Sequence, residues 1–298
     1  MSRFFTGALL INKKPGVSSF RALSPVKRVF HGHKIGHTGT LDPFATGLLV
    51  ILVGPLTRLA PELTGFDKVY EAILRFGAET DTLDPTGTVV HTSSSIPELS
   101  RIHAVLPQFT GTIQQVPPRY SAVHVNGRRA YDLARSGVDV QMTEREVSVH
   151  SIDILNWEPP DLTIRVACGS GTYIRSLARD IGIAADSRAS LHELHRTEVG
   201  PFHVEDSIDA DVDAGTVRDS LLCAYDVLGR MTHIACCEAL PDAVSAISNG
   251  KPFHTAMLVD ASAADGCTQL AVFDHCRQLC AMVNRTDEAY RYRFVMPQ

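Results

Sequence analysis

The sequence predicts an α+β protein, with a mixed, largely antiparallel central sheet flanked by helices and a small β-rich domain at the C-terminal end. Three observations carry this. Strand-like and helix-like stretches follow one another without a regular strand–helix–strand rhythm, which favours antiparallel pairing over a doubly wound sheet. From about residue 234 the chain changes to short strand-like pieces (AMLV, TQLAVFD, LCAMV, YRYRFVM) separated by polar turns. The length of 298 residues suits one sizeable domain plus a small one, and 44% hydrophobic with 20% charged residues excludes wholesale disorder.

The elements follow in order. Residues 8–12 (ALLIN) read as a strand ending in the turn Lys13-Lys14-Pro15-Gly16. Ser18 or Ser19 caps a helix reaching about Phe30, with Phe20, Leu23, Val26 and Phe30 on one face. Pro25 breaks that helix unless Ser24-Pro25 restarts it as N-cap and first helical residue. A Gly/His/Thr/Pro loop spans 31–46, and the apolar run GLLVILVG (47–54) reads as a buried strand. Strands are expected at 68–76, near 147–157 and at 162–168, a helix at 97–108, and a Gly-rich turn leading into a helix over 169–182. TDTLDPTG (80–87) is a turn. The acidic stretch 203–219 reads as a connection, so the expected division is 1–233 and 234–298.

Composition excludes several function classes. No apolar run approaches the ~20 residues that span a bilayer, and the N-terminal run ALLI is too short for a signal-peptide core, so cytoplasmic residence and no membrane partner are expected. Seven cysteines, odd in number and without a CxxC pair, argue for reduced structural thiols. His31, His33 and His37 are too loosely spaced for a metal site, and neither a metal nor a cofactor is expected. The net charge of −5 conceals an asymmetry. Residues 1–41 hold seven Lys or Arg and no acid, whereas residues 203–290 carry −9. Phosphate binding depends on such a local field, although an uneven solvated surface reads the same way.

The stretch GHTGTLDPFATGLL (36–49) sets Asp42 at the end of forty-one residues without an acid, in a loop directly before a buried strand. Loops pinned by strands are where reactive groups sit, but an Asp-Pro turn needs the same residue. The motif resembles the catalytic element of the TruB family of tRNA pseudouridine synthases, and five further stretches match that family in order. They are INKKPGVSS, KVYEAILRFGAETDTLDPTG, QVPPRYSAVHVNGRRAYDLARSG, GTYIRSLARDIG and LHELHRTEVGPF. The C-terminal residues from about 234 resemble a short PUA-type RNA-binding domain.

The resemblance implies a pseudouridine synthase fold and isomerisation of the uridine at position 55 in the TΨC loop of tRNA. It implies Asp42 as the catalytic carboxylate, Arg175 as its bidentate partner and Asp84 on the arginine's other side. Tyr70 would stack on the target base, though an aromatic in an apolar strand is more often core. His37 would brace the space left by the flipped nucleotide, Tyr173 and Leu194 would touch that nucleotide, and Lys13 would contribute position or charge. Arg119, Arg128, Arg129 and Arg135 would bind RNA phosphates from a clamping segment at about 120–146, whose stretch 124–142 is expected to be a mobile loop that orders on RNA. His124 and His195 stand where relatives carry lysine and arginine, so RNA affinity or its pH dependence is expected to differ from the family norm. The short C-terminus and long clamping segment favour a stand-alone monomer acting on tRNA without a guide RNA. The competing readings are a non-catalytic tRNA-binding or folding protein on the same scaffold and a guide-dependent relative.

Overall fold

The computed structural model describes residues 5–121, 123–125, 127–136, 141–286 and 289–296. The chain opens with β1 (Gly7–Lys13), α1 (Ser19–Ala22), α2 (Ser24–Val29), β2 (Ile35–Thr38) and β3 (Thr46–Val53). A 3-10 turn and α3 (Ala60–Gly65) lead to β4 (Lys68–Phe76), then the hairpin β5 (Ala78–Thr80) and β6 (Val89–Thr92). Next come α4 (Leu99–Val105), β7 (Gly111–Gln115), the short hairpin β8 (His124–Val125) and β9 (Arg128–Arg129), and α5 (Ala130–Arg135). The hairpin β10 (Arg145–Glu158) and β11 (Asp161–Cys168) precedes α6 (Ile174–Ala184) and β12 (Ala189–Val199). Short pieces follow: β13 (Phe202–His203), β14 (Ile208–Asp209), α7 (Ala214–Asp219), β15 (Leu222–Cys223) and α8 (Ala224–Gly229). The chain ends in β16 (Ile234–Glu238), α9 (Pro241–Ser248), β17 (Gln269–Phe273), β18 (Leu279–Arg285) and β19 (Tyr290–Val295).

Among the described residues the main sheet runs β14-β1-β3-β12-β4-β11-β10-β7, with β2 and β15 attached at β3 and β1. Only β1–β14 and β3–β12 pair in parallel, so the sheet is mixed and largely antiparallel, as the sequence predicts. The continuous apolar run of β3 has a physical reason. Leu49, Ile51 and Val53 pack with Leu23, Val26 and Phe30 of the first helices. Leu48, Val50 and Leu52 face the other way, into a core shared with Ala271, Phe273, Met282 and Phe294 of the C-terminal sheet β16–β19. A strand covered on both sides needs no polar face. By contrast β4 alternates buried and partly exposed positions, and its inward residues Tyr70, Ala72 and Leu74 pack against Ile174, Leu177 and Ile181 of α6.

The structure corrects several expectations. Phe20 does not join the buried face of its helix but is 70% exposed, because α1 lasts four residues and the chain turns again at Leu23. Leu23, not Ser24, caps α2, and Ser18 caps α1 by accepting from Arg21 N. The acidic stretch 203–219 is no free connection, since β14 pairs with β1 and Val217 of α7 sits in the core beside α2. Residues 256–259 form no strand: Thr255–Met257 is a 3-10 turn, with one bridge from Leu258 to Ala239. All seven cysteines are free.

Candidate active site

Asp42 lies in the connection from β2 to β3, and four groups pin that loop. The Ser19 hydroxyl donates to Leu41 O (3.0 Å) and accepts from Leu41 N (2.9 Å). The Lys13 ammonium, fully buried, donates to the carbonyls of Lys14 (3.0 Å), Val17 (2.8 Å) and Pro43 (3.2 Å). Gly16 N also donates to Pro43 O, at 2.8 Å. From behind, Arg196 of β12 donates from Nη2 to Gly39 O (2.9 Å) and from Nε to Leu48 O (2.8 Å), gripping the loop on both sides of Asp42. Gly47 (φ 99°) must be glycine here, because a Cβ would stand 2.3 Å from Arg196 O.

Arg175 comes from the first turn of α6. Gln115 orients the start of that helix: its Oε1 accepts from Tyr173 N (2.8 Å) and its Nε2 donates to Tyr173 O (3.2 Å). The guanidinium meets Asp42 side-on, Nε to Oδ2 at 2.9 Å and Nη2 to Oδ1 at 3.3 Å. Nη2 also donates to Tyr120 O (2.9 Å), and Nη1 to Thr82 O (2.9 Å), with Asp84 Oδ2 3.5 Å away. Every guanidinium nitrogen therefore faces an acceptor, the condition for holding such a charge in the interior. Asp84 in turn accepts at Oδ1 from Thr82 Oγ1 (2.7 Å), Thr86 N (2.9 Å) and Thr86 Oγ1 (2.6 Å). This turn holds Leu83 in the left-handed region (φ 61°), strain of about 1–2 kcal/mol for a non-glycine residue.

The side chains of Arg175 and Asp84 are 5% and 7% exposed, whereas Asp42 keeps a third of its surface open. Burial raises the Asp42 carboxyl above the usual carboxylate range; Arg175 and Lys13 oppose the rise and Asp84 adds to it. Burial draws Lys13 down to about 8, so it remains an ammonium at neutral pH, and its three carbonyl partners use all three N–H groups.

Tyr70 is 9% exposed and shares a cluster with Leu41, Ile174 and Leu194, so the core position and the place beside the Asp42 loop coincide. Burial raises its phenol, while the hydrogen-bonded positive charge of Arg196 opposes that rise. His37 lies on β2 opposite Ile51, with its Nδ1 buried and without a hydrogen-bond partner among the described residues. Burial and Arg196 lower its pKa, which leaves it neutral at pH 7. Leu194 is buried at the same cluster and Tyr173 is half-buried at the start of α6.

Arg119 and Arg128 are exposed, and Tyr120, next to Arg119, supplies a carbonyl to Arg175. The side chains of His124, Arg129 and Arg135, and residues 122, 126 and 137–140 of the expected mobile stretch, lie outside the described residues. His195 Nδ1 is 2.8 Å from Thr46 Oγ1. Sequence reasoning missed Arg196, 1% exposed at an inward position of β12. Its signal was weak: Arg196 follows the buried Leu194 by two residues, but a register shift between Leu191 and Glu193 breaks the alternation that would mark that face as inward.

Comparison with known proteins identifies the family. The family model described as TruB family pseudouridylate synthase (N terminal domain) matches residues 27–174. The tRNA pseudouridine synthase B of Borreliella burgdorferi is 46% identical over 203 residues, 67% of this chain and 72% of that relative. The protein of the same name from Dechloromonas aromatica is 45% identical over 234 residues, 78% of this chain and 75% of that relative. Among solved structures, a Cbf5–Nop10–Gar1 complex superposes with a TM-score of 0.69 at 24% identity, over 98% of this chain and 85% of the other, a likeness of fold. With Asp42 and Tyr70 inside the matched region and Arg175 directly after it, and with relatives this similar, the chain belongs to the TruB family of pseudouridylate synthases.

Proposed function

We propose that the protein isomerises uridine to pseudouridine in tRNA, at position 55 of the TΨC loop, with Asp42 as the essential carboxylate. The observation that carries the reading is the fork of Arg175 on Asp42, at a loop pinned on both sides and open at the carboxylate. The reaction breaks the N1–C1′ bond, turns the uracil and forms C5–C1′. The C5 proton is lost and N1 gains one, so no redox partner or phosphoryl donor enters. Asp42, oriented by two guanidinium nitrogens, acts on the base or sugar; Tyr70 lies beside it to stack on the uracil.

The uridine must leave its loop to reach Asp42, at a cost of a few kcal/mol. His37 braces the vacated space, Tyr173 and Leu194 contact the extruded nucleotide, and Lys13 holds the loop. Arg119, Arg128, Arg129 and Arg135 bind phosphates. Residues 1–233 form the catalytic domain and 234–298 a PUA-like RNA-binding domain. The enzyme works in the cytoplasm as a monomer without a guide RNA; among the described residues no helix is long and apolar enough to cross a membrane.

The test is pseudouridine formation in an unmodified tRNA transcript with no guide RNA, metal or nucleotide added. Wild type yields product at position 55, and Asp42→Asn yields none while still binding the transcript. Binding without modification by wild type would leave an RNA-binding protein instead.

A further inference from the structure

The first helix carries an aromatic ring that folding does not use. Phe20 is 70% exposed, while Ala22, Leu23 and Val26 around it are buried. The Lys27 ammonium lies 3.8 Å from its ring centroid, bracing one side and leaving the rest of the ring to water. The helix is also tied to the chemistry, because Ser19, the residue before Phe20, makes both hydrogen bonds to Leu41, the residue before Asp42.

The charge around the ring is one-sided. Residues 1–41 contain no acid. Lys14 is engaged by Asp211 at 2.8 Å and Asp209 at 3.8 Å, but Arg21, Lys27 and Arg28 form no ion pair among the described residues. Arg21 and Arg28 are exposed. A lone exposed phenylalanine is ordinary on a protein surface. An exposed ring interleaved with three unpaired cations, clipped to a catalytic loop, has the chemistry of a single-stranded nucleic-acid platform: a π-face for a base and charges for the flanking phosphates.

We propose that Phe20, with Arg21, Lys27 and Arg28, is a second contact surface for the RNA substrate, on which an unstacked base near the target lies against the Phe20 ring. The inference rests on the reading of an RNA substrate above. The surface acts in capture and not in chemistry: among the described residues no hydrogen bond or ion pair joins Arg21, Lys27 or Arg28 to Asp42 or Arg175.

The experiment is steady-state pseudouridine formation on the unmodified tRNA transcript, with melting temperatures and sedimentation as controls. Phe20→Ala is expected to raise KM about tenfold, within the range for one lost base–aromatic stack, and to leave kcat at saturating RNA unchanged. Phe20→Trp restores KM and Phe20→Leu does not, because a base needs a ring and not merely an apolar side chain. Arg28→Gln lowers the slope of log affinity against log salt by about one. An unchanged KM for Phe20→Ala, or a Phe20→Leu protein as good as wild type, overturns the proposal. A changed sedimentation with unchanged KM does so too, by making the ring a protein-docking contact. Failure of wild type to modify the transcript would instead sink the functional reading itself.

Discussion

Two buried arginines hold the Asp42 loop, and they are compensated in opposite ways. Arg175, on α6, faces two carboxylates, Asp42 and Asp84. Arg196, on β12, meets uncharged groups instead: the backbone carbonyls of Gly39 and Leu48 and the Tyr70 phenol. The first arrangement spends its charge on holding one carboxylate in a fixed orientation. The second leaves a net positive centre, which adds to the larger effect of burial in lowering Lys13, Lys68 and His37. One cation orients the Asp42 carboxylate, while the other shapes the backbone of the loop that carries it.

Substitutions at the two arginines test the contrast. Arg175→Met should have the larger effect: activity falls by about 10^3-fold or more, as when one member of a catalytic unit is removed. It should also destabilise the protein by about 3 kcal/mol in urea, because Asp84 is left buried without its cation. Arg175→Lys should retain part of the stability and little of the rate, since a point charge cannot make the fork. Equal activity of Arg175→Lys and wild type would break the assignment of aim to Arg175.

Arg196→Met should cost at least about 3 kcal/mol, from the two lost charge-assisted hydrogen bonds to carbonyls at about 1.5 kcal/mol each, and lower kcat less than Arg175→Met does. The same variant should raise the His37 pKa, followed by the ring C–H resonance, because the repelling charge is gone. A His37 titration unmoved by Arg196→Met would show that burial alone sets it.

The pH profile sharpens the Asp42 side. A carboxyl raised by burial loses its anion as pH falls through a value above the ordinary ~3.9, so the acidic limb of kcat/KM should lie above that value. A limb at or below it would mean that Arg175 outweighs burial. The smallest effect belongs to the exposed pair Arg75–Asp161, 2.7 Å apart. Arg75→Ala should change stability by less than about 1 kcal/mol and leave activity alone.

How much of this was legible follows from what each residue signals locally. Asp42 stood out by charge contrast and by the buried strand after it, and the alternation of KVYEAILRF placed Tyr70 inward. The family motifs brought Arg175 and Asp84 together although 91 residues separate them. Arg196 escaped because an arginine reads as surface unless the strand's inward face is known, and that face depends on β4 and β3 lying on either side. Phe20 was misread because helical periodicity assumes a continuous helix, and the break at Leu23 turns the ring outward. The strand β16 and helix α9 were missed because a five-residue strand and an eight-residue helix carry too little periodicity to stand out.

The two-sided burial of β3 bears on how such a protein can be cut, spliced or inherited. Leu48, Val50 and Leu52, in the strand that follows the Asp42 loop, share one core with Ala271, Phe273, Met282 and Phe294 of the C-terminal sheet. A truncation near residue 234 would strip the back of the strand that leads out of the loop, and a graft from a relative would meet a mismatched surface. The tail and the loop are therefore constrained to vary together: a hybrid joined at that point needs the facing residues of β3 from the same parent as its last three strands.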